Sequence, residues 1–226
     1  KDEAPVCDES GTYHFKAPLG SIFPLIAKND AGYRIRIAVP DENRRAVIKP
    51  AAVEASLACV QPMAMTTANV ARVAMELSGE PYGWGGILMN RDCSAMIKDL
   101  FAPFGIWLPR NSSEQAEQSR FSDLRNLPDA EKKTRILMNG VPFATLLWFK
   151  GHIMLYIGGF RNEPLVFHNT WGVPTKGLFG KSDRAIIGCA SVTTLAPGRE
   201  RRDFDRKKGT LLQRVERMIF LDGMRP

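Results

Sequence analysis

Histidine is scarce in this sequence: His14, His152 and His168 are the only three among 226 residues. Cysteine is limited to Cys7, Cys59, Cys93 and Cys189, and no two of them form a C-x-x-C pair, which argues against a structural zinc site. No apolar run approaches the ~18 residues that a membrane-spanning helix needs. Val141–Phe149 is the longest candidate, so no membrane span is expected. Internal repeats and low-complexity segments are also missing. What remains is a chain of 44% hydrophobic content, enough for one sizeable core or for a medium domain plus a small one, and two units are expected.

Lys and Arg number 31 against 24 Asp and Glu, a net charge of +7. Such an excess favours an anionic partner, whether nucleic acid, a lipid surface or a cell-wall polymer. Part of it is local, because Arg199–Lys208 (RERRDFDRKK) reads as a solvated connection. The chain begins at Lys1 rather than Met, so a processed or trimmed chain is expected, with any export signal upstream.

Residues 1–63 read as short strands punctuated by turns. Ser21–Lys28 is apolar, Asn29-Asp30-Ala31-Gly32 is a turn, and Tyr33, Ile35, Ile37 and Val39 alternate with polar or small residues before the turn Asp41-Glu42-Asn43. Arg44–Lys49 supplies a short basic strand, and the outline is a small β-barrel. From Thr66 the period changes: Val70, Val73, Ala74 and Leu77 form a helical stripe capped by Thr66 or Thr67 and left through Gly79. The boundary falls between Gln61 and Thr66, giving a second unit of residues 64–226.

Within that unit a Gly-rich loop (Gly83, Gly85, Gly86) leads into Asp92-Cys93-Ser94. Cys93, Met96, Ile97, Leu100, Phe101 and Phe104 then recur at the spacing of one helix face, with Asp92 as N-cap and Gly105 as the stop. Cys93 opens a buried helix, where unpaired N–H groups favour thiolate over thiol. The same placement suits a small core residue. Further on, Ser112-x-x-Gln115 fits a capping box on a short helix to about Ser119, and Phe121–Arg135 reads as polar loop. Phe143–Lys150, His152–Gly159, Leu165–Asn169 and Arg184–Thr194 read as strands, with Gly158–Pro164 as a hairpin turn and Cys189 as a buried strand residue. Leu211, Leu212, Val215, Met218 and Ile219 suggest a closing amphipathic helix. Cys7 and Cys59 are the candidates for a disulfide in an oxidising compartment.

Two of the three histidines fall on the expected strands downstream of the helix-start cysteine. A thiol nucleophile needs an imidazole to take its proton, and the imidazole needs a third group to fix its tautomer. His152 shares a strand face with Met154 and Tyr156, and His168 lies at the distance of a neighbouring strand. Cys93, His152 and His168 are therefore the candidate catalytic set.

Tyr82-x-Trp84-Gly85-Gly86, Asp92-Cys93-Ser94, the run Leu108–Gln115 (LPRNSSEQ), Gly151–Gly158 (GHIMLYIG) and Phe167-His168 together resemble the NlpC/p60 family of papain-like cysteine peptidases over about Thr66–Leu221. Residues 1–63 resemble the bacterial SH3-type domains that precede such units. The resemblance implies an α+β fold, a papain-like domain of helices packed on an antiparallel sheet after a small SH3-like β-barrel. It makes Cys93 the nucleophile, His152 the base and acid, and His168 the orienting group. Tyr82 lines the site and joins the backbone N–H of Cys93 as oxyanion donor, while Asp92 and Ser94 hold the free amino end of a stem peptide. For Asp92 the local role of helix cap stands beside that one. Two departures from the pattern are Ala95, where Gly is common, and the added-looking Phe160–Pro164.

The activity implied is that of a peptidoglycan endopeptidase cutting the γ-D-glutamyl–diamino acid bond through a thioester. No metal or other cofactor is implied, the partner is the stem peptide rather than nucleic acid, and the location is periplasmic or extracellular. An inactive wall-binding module, or an amidase or acyltransferase acting on another bond, are the alternatives.

Overall fold

The computed structural model describes residues 3–8, 10–117, 120–177 and 180–221. Two compact units emerge, Lys1–Ala64 with Asp99–Ile106, and Met65–Lys98 with Trp107–Pro226.

The first unit is built from β1 (Glu3–Cys7), β2 (Tyr13–Pro18), β3 (Leu25–Lys28), β4 (Gly32–Pro40) and β5 (Ala46–Glu54). All pairs are antiparallel, in the order β2-β1-β5-β4-β3. The expected turns form because short polar side chains take up their N–H groups. Asn29 Oδ1 accepts from the Ala31 and Gly32 N–H at 3.0 Å each, and Asp41 Oδ1 accepts from those of Asn43 and Arg45 at 2.8 Å each. Period-two alternation puts Ile35, Ile37 and Val39 into one core with Val6, Ala51 and Val53. Among the described residues the sheet stays open: β2 and β3 are its edges and do not pair. The four-residue β3, exposed throughout, has no buried face with which to draw β2 into a closed barrel. Cys7 is a free thiol, so the Cys7–Cys59 bridge is not formed.

The second unit is α+β. Its helices are α1 (Thr67–Glu76), the first part of α2 (Cys93–Phe101, whose residues from Asp99 on count with the first unit), α3 (Ser112–Gln115), α4 (Asp129–Asn139) and α5 (Leu211–Arg214). Its strands are β6 (Phe121–Asp123), β7 (Thr145–Phe149), β8 (His152–Phe160), β9 (Glu163–Lys176), β10 (Ser182–Thr194) and β11 (Arg217–Phe220). They form one antiparallel sheet in the order β10-β9-β8-β7-β11-β6. Leu147, Phe149, Met154, Tyr156 and Val166 on its face pack with Ile136, Val215 and Met218. The β8–β9 hairpin turns on Arg161 and Asn162, both left-handed, between the paired Phe160 and Glu163. Such a two-residue turn matches the twist of its strands, so the added-looking segment is strand and tight turn.

Four expectations are corrected. Phe121–Arg135 is not loop but holds β6 and the start of α4. Strand β6 exists because Phe121–Asp123 pairs with Ile219–Arg217, a contact across nearly a hundred residues that local pattern does not carry. Helix α4 has few apolar residues, and it docks partly through a lysine. Lys132 is buried and its Nζ donates to the carbonyls of Gln213 (2.8 Å) and Val215 (2.7 Å), whereas patterning counts lysine as solvent-facing. The closing helix is one turn long. Thr210 and Gln213 cap it reciprocally, Val215 leaves helical geometry, and Met218 and Ile219 enter the sheet beside β7. Helix α3 has Asn111 rather than Ser112 as N-cap, with no side-chain cap bond; the Ser112–Gln115 box does not form, because Gln115 Nε2 donates to Ser94 O and Pro109 O instead, and Ser119 lies outside the described residues. Cys189 is on β10 as expected, but only half-buried beside a bulge.

Candidate active site

Every candidate residue lies in the second unit. The loop Pro81–Asn90 is pinned at its base, where the Tyr82 N–H donates to Gly188 O (2.8 Å) and the Gly83 N–H to Arg91 O (2.9 Å). A Cβ on Gly83 would sit 2.7 Å from Ile87 O, closer than a side chain allows. Gly85 and Gly86 follow with left-handed φ of 66° and 92°, a geometry that glycine adopts without penalty.

Asp92 ends this loop and caps α2, its Oδ1 accepting from the Ala95 N–H at 2.9 Å. The same carboxylate is gripped by Arg110, Nη1 to Oδ1 at 2.9 Å and Nη2 to Oδ2 at 2.7 Å. Arg110 Nη1 also donates to Ser94 Oγ (3.1 Å), which donates to Asp92 Oδ1 (3.1 Å). Burial pushes the Asp92 carboxyl up, but the Arg110 hydrogen bonds and charge and the Ala95 N–H outweigh it and hold the group below the usual carboxylate range. Asp92 is thus an ionised cap whose local role is filled, and Ser94 is part of the same cluster. The buried Gln115 ties the cluster down, its Nε2 donating to Ser94 O (2.9 Å) and Pro109 O (2.7 Å).

His152 and His168 are brought together on β8 and β9. His152 Nε2 and His168 Nδ1 are 2.8 Å apart, and His168 Nε2 is 2.9 Å from Thr193 Oγ1 on β10. The Thr193 hydroxyl donates to Thr194 O at 2.8 Å. That spends its proton, so it accepts from His168 Nε2–H. A neutral His168 then offers Nδ1 as acceptor, and His152 must donate from Nε2–H. The unprotonated nitrogen of His152 is therefore Nδ1, the form a general base requires.

Both imidazoles are held neutral. Burial pushes His168 down to about 4. Burial first, then the charges of His168, Arg214 and Arg184, put His152 well below its ordinary value. His168 has the lower pKa when folded, so its contribution to stability is full above pH 6.5 and is lost as the pH falls toward 4. The difference corresponds to on the order of 3 kcal/mol. Urea unfolding at pH 7 and pH 4 should show a loss of at least about that size, with His152 acting in the same direction. Unchanged stability across this window would mean that the histidines are not buried as a neutral pair.

Cys93 opens α2 as expected and is buried, 7% exposed. Its thiol is within hydrogen-bonding reach of the Ile153 N–H, the backbone next to His152. No hydrogen bond joins the thiol to either histidine ring among the described residues. Burial pushes the thiol up to about 11, and the charge of Asp92 adds to this. The N–H groups of Ile153, Ser94 and Cys93 itself pull the other way. Burial thus opposes the thiolate expected at the helix start more strongly than the local donors favour it. Tyr82 stands close by, its hydroxyl pushed up by burial and by the nearby Cys93 and Asp92. A cleft of about 600 Å³ opens beside His152, with Tyr82, Trp84, His168, Trp171, Arg184 and Arg214 in its wall.

Sequence reasoning missed Thr193, Arg110 and Asn169 as site residues. Asn169 Nδ2 donates to Arg91 O (2.9 Å) and so ties β9 to the start of α2. Adjacency to His168 is the sequence signal that could have found Asn169. Arg110 was visible in the LPRNSSEQ run, without a partner to name. Thr193 needed the β9–β10 pairing. Among the described residues no group of three or more His, Cys, Asp or Glu is placed to hold a metal ion.

A thiol at a helix start and two histidines on paired strands of an antiparallel sheet define a papain-like α+β domain. Residues 79–173 match the model of the NlpC/P60 family, and residues 1–29 match that of the SH3 domain of SH3b2 type. An NlpC/P60 endopeptidase from Photobacterium damselae subsp. piscicida is similar in structure, with a TM-score of 0.75 and 25% identity over 96% of this chain and 51% of that one. An NlpC/P60 family protein from Bacillus cereus ATCC 10987 has a TM-score of 0.58 and 15% identity over 97% and 60%. The chain thus spans about half the length of the first and three fifths of the second. No curated protein matches it.

Proposed function

We propose that this protein is an exported cell-wall endopeptidase that hydrolyses the γ-D-glutamyl–diamino acid amide of peptidoglycan stem peptides. The observation that carries this reading is the hydrogen-bonded line from Thr194 O through Thr193 and His168 to His152, which leaves His152 Nδ1 free as a base on the strand whose next residue, Ile153, offers its N–H to the thiol of Cys93. With substrate bound, the thiol turns from the Ile153 N–H to His152 Nδ1 and gives up its proton as Sγ attacks the γ-carbonyl. The oxyanion meets the Cys93 N–H and the Tyr82 hydroxyl. The imidazolium of His152, whose Nε2–H stays on His168, returns its proton to the diamino-acid nitrogen. The C–N bond breaks and a thioester is left on Cys93. Water, deprotonated by His152, then frees the glutamyl acid and restores the thiol. Asp92 and Ser94 hold the amino end of the stem through the cluster with Arg110. Residues 1–63 serve as an SH3-type wall-binding module and residues 64–226 as the catalytic domain. The excess positive charge retains both near an anionic wall.

Digestion of defined muropeptides, read by mass, tests the reading. The expected products are a dipeptide ending in D-glutamate and a fragment with a free diamino-acid amine. Release of whole stem peptide from the sugar would instead make the enzyme an amidase, and the absence of any product would leave a binding module.

A further inference from the structure

The cleft beside His152 carries two cations, Arg184 and Arg214. Among the described residues neither Asp nor Glu is in its wall, while Arg184 from β10 and Arg214 from α5 both are. Each guanidinium is fixed from behind. Arg184 Nη1 donates to Gly172 O at 3.0 Å, and Arg214 lies 4.0 Å over the Phe149 ring, whose centroid is 5.5 Å from that of His152. Neither arginine is ion-paired with a carboxylate among the described residues. They are close enough for the charge of Arg184, after burial, to pull down the pKa of Arg214. Two cations held near each other without a counterion are unfavourable for folding, and an anion supplied by a ligand relieves that repulsion.

We propose that Arg184 and Arg214 form a carboxylate-binding subsite of the cleft, which takes a free carboxylate of the stem peptide beside the amide to be cut. This rests on the endopeptidase reading and deepens it. A γ-linked D-glutamate keeps its α-carboxylate free, on the acyl side of the bond. The diamino acid can carry a second carboxylate on the leaving side. The planar fork of arginine suits either. Peptides amidated at these carboxylates then bind poorly, and the subsite selects walls by their state of amidation.

Calorimetric binding to the Cys93→Ala protein, which holds substrate without cleaving it, separates the possibilities. Three stem peptides are compared: both carboxylates free, the D-glutamate α-carboxylate amidated, and the diamino-acid carboxylate amidated. One amidation should weaken binding about 10- to 100-fold, the range of a charge-assisted pair, and which one does so identifies the source. Added Arg184→Gln and Arg214→Gln changes should remove that discrimination, while the Arg→Lys pair, which keeps the charge, retains part of it. Equal binding of all three peptides overturns the subsite and leaves the endopeptidase reading standing, as does discrimination that survives the Gln changes. Failure of every peptide to bind overturns both.

Discussion

Replacing Cys93 with alanine is expected to lower stem-peptide cleavage by roughly 10⁴-fold or more, the size of effect seen when the nucleophile of a coupled catalytic unit is removed. The loss should appear in turnover with little change in folding. The side chain is small, it starts α2 rather than filling the middle of it, and the Asp92 cap that fixes the helix start does not involve sulfur. Fragment analysis of the digest together with a thermal melt checks both halves. Cleavage retained by the alanine protein would remove Cys93 from the chemistry.

The second large effect is that of His152→Ala, expected to cost about 10³- to 10⁴-fold in kcat/KM. The resting sulfur is a thiol pushed up to about 11, so little thiolate exists at neutral pH without a base to take the proton. The alanine variant should therefore lose thiol reactivity along with peptide cleavage. Because burial and nearby positive charge hold His152 well below its ordinary pKa, the acid limb of the wild-type profile should lie below pH 6.5. An acid limb at or above that value would mean that His152 is not held neutral by burial.

The parts of this architecture that follow from local chemistry were legible in the sequence. The helix stripe after Asp92, the turns at Asn29 and Asp41, and strands carrying His152 and His168 all depend on periodicity and on side chains acting on their own backbone. What escaped was set by distant contacts. Strand β6 is a strand only because β11 lies beside it, and β11 escapes the amphipathic-helix pattern because β7 offers it an edge. Helix α4 was hidden because a lysine shares the anchoring of its inner side with a single fully buried aliphatic residue, Ile136. At the site the catalytic candidates were readable from residue type and order. Thr193 was not, since its value lies in a hydroxyl whose proton is already spent on Thr194 O. The burial that opposes a thiolate was hidden for a related reason: a helix start is visible in sequence, whereas the degree of burial around it is not.

The claim on which the account turns is that a buried sulfur is activated by its neighbouring imidazole, and the order in which the cysteines react tests it most directly. Burial alone would make Cys59, which is exposed, react before the half-buried Cys7 and Cys189, with the buried Cys93 last. Limiting alkylation of the intact protein at neutral pH, mapped by peptide mass, should instead find Cys93 labelled first, with that preference lost in His152→Ala. Labelling that follows exposure, with Cys93 last in the wild-type protein, would contradict the account.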